Sequence, residues 1–541
     1  MVRSRRNAAS GEFGHMRGIG RAVVLGTALA AGIAAAGPVA AQKTLRWAAQ
    51  GDAETMDPHG RFEIFTLGML GAVYEPLLRF DADMKLQPGL ATTWTQVEPL
   101  RWRFTLRPGV KFQDGADLTA DDVVFSVVRT KTEGTGLAHT LAPVARAEKV
   151  DDLTVDFVLA RPYPALLTTL AFWYVMDEGW AKANGAEKPV NLRANQINPA
   201  HTAANGTGPY RLVARRADQE TVLERNPAWW GGRADVERVV FTPIASDATR
   251  VAGLVAGNLD VIDPLPIADV ARIQASGQFK VVQRPENRVV FLGMDQHRAA
   301  LLESDVTDGN PFKDVRVRRA VWQAIDTQAI RERTMRGAAR AAGVMMGPDV
   351  VGYDASLDTP LPHDPAAARA LLAEAGYPNG FSVVLDCPND RYVNDEEICQ
   401  AVTGMLTRVG IRTNLRAVSK SIYFNRVLRQ ETSFYLLGWA PGNMDATDIL
   451  RPLMHTRGPG SGLFNVGAWT DPRVDEITGL VELETDVTRR NALIKEAFQR
   501  HKDGVGHVPL MFSYVTWGVR AGVQLEQRPD GVLPLATVRM P

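Results

Sequence analysis

Apolar and polar positions alternate in two short stretches near the first third of the chain. Trp102, Phe104 and Leu106 form one set, and Leu153, Val155, Phe157 and Leu159 form the other, so both predict half-buried strands. Between them, Thr119-Ala-Asp-Asp122 precedes an apolar run through Val124, Phe125 and Val128. That spacing predicts a capping box, in which Thr119 and Asp122 satisfy each other's free amides. Residues 86–204 therefore read as a mixed α+β unit.

Two other regions carry a different rhythm. The first predicts a strand over 236–244, a helix over 246–256 capped by Ser246, and a strand over 259–262. In the second, Asp364-Pro365 opens an Ala/Leu helix that Gly376 and Pro378 end. A strand at 381–386 follows, then a helix capped by Asn394 and ending at Gly410. After it come a strand near 411–418, a helix near 422–430 and a strand at 433–438. Strands alternating with helices at these lengths require right-handed crossovers and a parallel sheet. The chain is thus expected to hold two α/β sheets plus an α+β insertion. Ligands of open parallel sheets sit beyond the strands' carboxyl ends. That rule singles out the loops 387–392 and 439–445 in the second sheet, and 50–58 and 263–266 in the first. Two lobes facing each other along these edges would enclose a cleft.

Composition narrows the classes. The chain has 541 residues, 45% of them hydrophobic, with 61 basic side chains balanced by 61 acidic ones. This permits a sizeable core and argues against non-specific nucleic-acid binding, which needs a basic surface. At the N-terminus, Arg17 and Arg21 precede an apolar run over 22–37, with small residues at Val39 and Ala41. The pattern predicts a cleaved signal peptide over 1–41, with no Cys at the cleavage point to carry a lipid. The protein is expected in the periplasm, with 56 basic and 60 acidic residues left after cleavage. In that oxidising compartment Cys387 and Cys399, twelve apart, are either a local disulfide or two buried thiols. No nucleophile elbow, Walker A loop or His-Glu-x-x-His is present, and the nine His are scattered. Neither a catalytic set, a metal site nor a cofactor site is expected. Gly458-Pro-Gly-Ser-Gly462 reads as a flexible surface loop.

Several strings then carry a resemblance. Trp102-Arg-Phe-Thr-Leu-Arg-Pro-Gly-Val-Lys-Phe-Gln-Asp-Gly115 with Leu118-Thr-Ala-Asp-Asp-Val-Val-Phe125 resembles the signature of the extracellular solute-binding proteins, family 5. These are oligopeptide-, dipeptide- and nickel-type receptors of ABC importers. Val73-Tyr-Glu-Pro-Leu-Leu78, Gly206-Thr-Gly-Pro-Tyr210, Glu224-Arg-Asn-Pro-x-Trp-Trp230, Asn310-Pro-Phe-x-Asp-Val-Arg316 with Ala324-Ile-Asp326, and Gly438-Trp439 follow in the family's order. The resemblance implies a two-lobed, hinged periplasmic-binding-protein fold of α/β class. Its first lobe would comprise 42–85, 205–290 and 508–541, with 86–204 inserted, and its second 291–507. It also implies a small-molecule or peptide ligand, an ABC permease with its ATPase as partner, and a monomer. A non-peptide solute (glutathione-like, a metal chelate, an opine or an oligosaccharide) is the alternative, and a secreted hydrolase a remoter one.

Residue by residue, Trp439 matches the family's Gly-Trp and is a candidate ligand wall, with core packing the alternative. Relatives that grip a free amine commonly carry Asp three residues later, where this chain has Gly442. Asp445 would replace it, or else cap the following turn; Asn443 shares that loop. Arg391 and Tyr392 lie where relatives place an Arg and a Tyr near the ligand, Arg391 being suited to a bidentate carboxylate contact or to solvent. Glu54 and Met56, beside Asp57-Pro58, are weaker candidates from the first lobe.

Overall fold

A computed structural model describes residues 42–541 apart from Gly134, so the signal peptide expected over 1–41 lies outside the described residues. Thr44–Ala49 pairs in parallel with Arg238–Pro243 and with Val261–Asp263, which builds the first α/β half. The helix Asp247–Val255 crosses between the last two, its N-cap Ser246 accepting the Thr249 amide. A hairpin of Tyr210–Arg216 and Glu220–Arg225, which the apolar pattern did not single out, extends this half antiparallel. In the second half, Phe381–Pro388 pairs in parallel with Ile411–Val418 and touches Phe434–Trp439 in parallel.

The two halves were expected as separate sheets. They are instead one eleven-stranded sheet. Phe279–Met294 and His507–Arg520 run antiparallel beside each other through both halves, with a register shift between Pro285 and Val289. Their apolar residues are buried on both faces towards the second half, so neither strand shows the alternation that marks a half-exposed one. The bulge marks where the pair passes from one half to the other, and it locally interrupts the ladder.

The inserted unit is a four-stranded antiparallel sheet in the order Ala91–Glu98, Arg101–Leu106, Thr154–Leu159, Val144–Asp151. Helix Ala120–Thr130 lies on it, and its capping box between Thr119 and Asp122 is present. The strings that carry the family resemblance meet in space. Glu75 is buried and accepts hydrogen bonds from Thr207 Oγ1 (2.9 Å), Trp229 Nε1 (3.0 Å) and Trp230 Nε1 (2.7 Å). Gln113 Nε2 donates to the Tyr210 carbonyl at 2.7 Å, stitching the insertion to the core. Gly206 is required because a Cβ there would stand 2.1 Å from the Val73 carbonyl oxygen. These motifs are architecture, and their polar groups face one another.

Two local details differ from the pattern. Asn394 sits at φ 53° and makes no cap bond; its Nδ2 donates to the Thr334 carbonyl instead. Asp395 takes over the loop, accepting the amides of Arg391 (2.9 Å) and Tyr392 (3.0 Å). A disulfide joins Cys387, at the end of its strand, to Cys399 on the helix Asp395–Thr407. No helix among the described residues is long and apolar enough to cross a membrane.

Candidate ligand-binding site

A cavity of about 550 Å³ lies between the inserted unit and the segment that follows Trp439. Phe62, His139, Arg161, Tyr163 and Phe172 wall one side, and Trp439, Asp448, Arg451, Arg457 and Phe464 the other. Arg161 Nη1 approaches Glu482 Oε2 to 3.7 Å across it, so the two walls meet around the space.

Trp439 ends the strand Phe434–Trp439, paired to Val289 on the long crossing strand. Its ring lies 4.7 Å from that of Phe464, and its Nε1 donates to the Asp448 carbonyl at 2.7 Å. The indole is thereby held with one face to the cavity. Gly442 follows three residues on. A Cβ at this position would stand 2.4 Å from the Phe62 ring and 3.5 Å from Asp448 Oδ2. Phe62 therefore fills the space a longer residue would need, and the Asp448 carboxylate, which accepts the Gly442 amide, stands beside it. Burial pushes the Asp448 carboxyl up to about 7, the Gly442 amide opposes that, and Asp445 adds to it. We expect Gly442→Ala to cost about 1–3 kcal/mol through overpacking, measured by urea unfolding, with most of it recovered in a Phe62→Leu background. Undiminished stability of Gly442→Ala would contradict this packing.

Asp445 is buried and its Oδ1 accepts from Thr447 N (2.9 Å), Thr447 Oγ1 (2.7 Å) and Arg490 Nη2 (2.7 Å). Its carboxylate caps the turn and neutralises Arg490. It is not among the lining residues of the cavity. Asn443 does line it, while its Oδ1 accepts the Asp445 amide at 3.1 Å.

Arg391 and Tyr392 belong to a second, smaller cavity of about 260 Å³, where Asp263, Glu286, Arg288 and Tyr514 converge beside the bulge of the long strands. Tyr392 Oη accepts the Gly438 amide at 2.9 Å, which braces the strand leading to Trp439. The Arg391 guanidinium lies 5.1 Å from the Tyr392 ring, and burial with Arg288 lowers its pKa. Burial also pushes the Asp263 carboxyl up to about 7. Glu54 lines neither cavity; it is exposed and paired with Arg61 Nε at 3.1 Å. Met56 has no exposed surface and belongs to the core, and Asp57 pairs with Arg129 in the interior.

Sequence reasoning missed Phe62, Tyr163 and the arginines 161, 451 and 457. The 458–462 segment, read as a flexible surface loop, is exposed at Gly458 and Gly460, and these with Ser461 also line the cavity. Asp448 was not among the expected ligand residues. A run of Arg and Gly beside a predicted cleft loop was the available signal.

Comparison with known proteins agrees with this geometry. Residues 85–461 match the profile of the bacterial extracellular solute-binding proteins, family 5 (middle region). The heme-binding protein A of Haemophilus influenzae is 27% identical over 456 residues, covering 79% of each chain. The glutathione-binding protein GsiB of Pectobacterium atrosepticum is 27% identical over 481 residues, covering 87% of this chain and 89% of that one. The solved structure of HbpA2 from Haemophilus parasuis superposes with a TM-score of 0.77 at 25% identity, over 92% of this chain and 100% of the other. With its two halves, inserted sheet and walled cavity, the chain belongs to the bacterial extracellular solute-binding proteins, family 5.

Proposed function

We propose that the protein is an exported, monomeric receptor that captures a peptide-class solute in the 550 Å³ cavity and presents it, unaltered, to an ABC permease. The observation that carries this reading is the cavity itself, because side chains from both halves wall it. A solute touching both walls favours the closed arrangement over the open one, and only such differential contact shifts the equilibrium. A near-complete switch needs roughly 5 kcal/mol of difference between the two states. We place the swivel at the bulge near 285–289, with 42–85, 205–290 and 508–541 moving with the insertion 86–204 against 291–507. The glutathione-binding relative supports a peptide-like ligand, since glutathione is a tripeptide.

A thermal-shift screen of di- and tripeptides, glutathione, sugars and metal chelates tests the reading. A ligand at about 100 times its Kd adds roughly 2.7 kcal/mol of stability. A peptide is expected to give this shift; a shift from sugars or chelates alone would overturn the peptide assignment.

Asp448 takes the place of the amine-binding acid that Gly442 lacks. Burial pushes its carboxyl up to about 7, so its proton must be lost to solvent for it to pair with a bound ammonium. The affinity for a peptide with a free amine is therefore about half its maximum at pH 7, rises towards that maximum above it, and declines several-fold further by about pH 6. An N-acetylated peptide should show no such rise with pH. Calorimetric titrations at both pH values check this, and identical profiles for the two peptides would remove Asp448 from the role.

A further inference from the structure

Charge in the main cavity is out of balance. Four arginines line it, Arg161, Arg451, Arg457 and Arg490, against two acids, Asp448 and Glu482. Arg490 is neutralised from behind by Asp445 at 2.7 Å. Arg451 and Arg161 share the single carboxylate of Glu482, the second at 3.7 Å. Arg457 has no acid within ion-pair reach among the described residues; its Nη1 donates to the carbonyls of Gly462 (3.2 Å) and Leu463 (2.7 Å). Carbonyls hold the guanidinium in place without cancelling its charge. Asp448 stands near Trp439 and is drawn towards its neutral form, so it offsets this surplus only in part. A positive excess thus gathers where Arg161, Arg451 and Arg457 converge.

A peptide with free termini brings no net charge, and its own carboxylate answers only one of these cations. Arg161 and Arg451 are partly exposed, so solvent screens them in part, yet uncompensated guanidinium groups still favour a solute of opposite sign. We propose that the cavity selects net-anionic peptide-like solutes, with an acidic group beyond the terminal carboxylate held by Arg161, Arg451 and Arg457. This deepens the receptor reading above and rests on it. Arg161 comes from the inserted unit and Arg451 and Arg457 from the opposite half, so the extra acid would also bridge the walls.

The test is calorimetric binding of the tripeptides Ala-Phe-Ala, Ala-Phe-Glu and Ala-Phe-Lys at low and high salt. Ala-Phe-Glu is expected to bind at least about tenfold more tightly than Ala-Phe-Ala, with Ala-Phe-Lys weakest and the gap narrowing in salt. Arg457→Gln and Arg161→Gln should each shrink the preference, read as the ratio of the Ala-Phe-Glu to the Ala-Phe-Ala affinity in the same variant; Arg457→Lys should keep it. The lysine variant separates lost charge from a loosened 458–462 segment. Equal affinities, a preference for Ala-Phe-Lys, or a preference undiminished in both glutamine variants would overturn the inference and leave the peptide receptor standing. Failure of all three peptides to bind would overturn both.

Discussion

Replacing Asp57 by Ala should destabilise the protein by about 3–5 kcal/mol, because it strands a guanidinium in the interior. Asp57 and Arg129 are both wholly buried, and the two carboxylate oxygens meet the two Nη atoms at 2.7 and 2.6 Å. The same carboxylate accepts the amides of His59 (2.9 Å) and Val190 (2.8 Å). Burial alone would raise its pKa; the Arg129 guanidinium outweighs that and holds it below the ordinary value. Arg129 is anchored further by the Ala186 carbonyl at 2.9 Å, so helix Ala120–Thr130, the 186–190 segment and the 55–59 turn share one knot. Removing one partner leaves four donors without their acceptor, whereas removing both charges costs less. Urea unfolding of Asp57→Ala, Arg129→Met and the double variant checks this: the double loss should be smaller than the sum of the single ones. Additive losses would mean that the pair is not coupled. The knot also fixes the chain just before Phe62, so the cavity wall depends on it.

Trp439→Ala is expected to weaken binding of a captured peptide at least about tenfold while the unliganded protein stays folded. The indole supplies a large rigid face to the cavity, and its removal deprives the solute of that surface. It also frees the Asp448 carbonyl from its 2.7 Å hydrogen bond, which loosens the turn that carries the Asp448 carboxyl. Trp439→Phe keeps a six-membered aromatic face and loses the fused pyrrole ring with its N–H, so it should retain more affinity than Trp439→Ala. Calorimetry with the tightest tripeptide, alongside circular dichroism of the free variant, separates the two contributions. Unchanged affinity in Trp439→Ala would remove the wall from the account.

Elements whose signal is local were legible in the sequence. The alternation at Trp102–Leu106, the Thr119–Asp122 box, the Ser246 cap and the Asp364-Pro365 helix start each need only a few neighbouring residues, and each stands where the pattern put it. The join between the halves was not, since the long strands Phe279–Met294 and His507–Arg520 are buried on both faces for much of their length and so lack alternation. Asn394 stands at the N-cap position, as expected, but at φ 53° its side chain donates to the Thr334 carbonyl and makes no cap bond. Trp439 and Asn443 could be placed by the strand-end rule, since the loop after a parallel strand faces the cleft. Phe62, Arg161 and Arg457 could not, because what brings them to the cavity is the docking of the insertion against the opposite half. Met56 and Asp57 share a loop with Glu54, yet their side chains turn inward to the core and to Arg129, a choice set by a partner 72 residues away.

The walls at Arg161 and Glu482 are expected to separate without solute and to close upon it. Val128, on the insertion, and Leu480, on the helix Pro472–Val481 across the cavity, are both exposed, and the native cysteines are joined to each other. Spin labels on Val128→Cys and Leu480→Cys therefore report the gap directly by pulsed dipolar spectroscopy. A longer, broader distance distribution is expected in free protein, collapsing to one shorter distance when Ala-Phe-Glu saturates it. A distribution that stays the same while the peptide binds fully would contradict this closure.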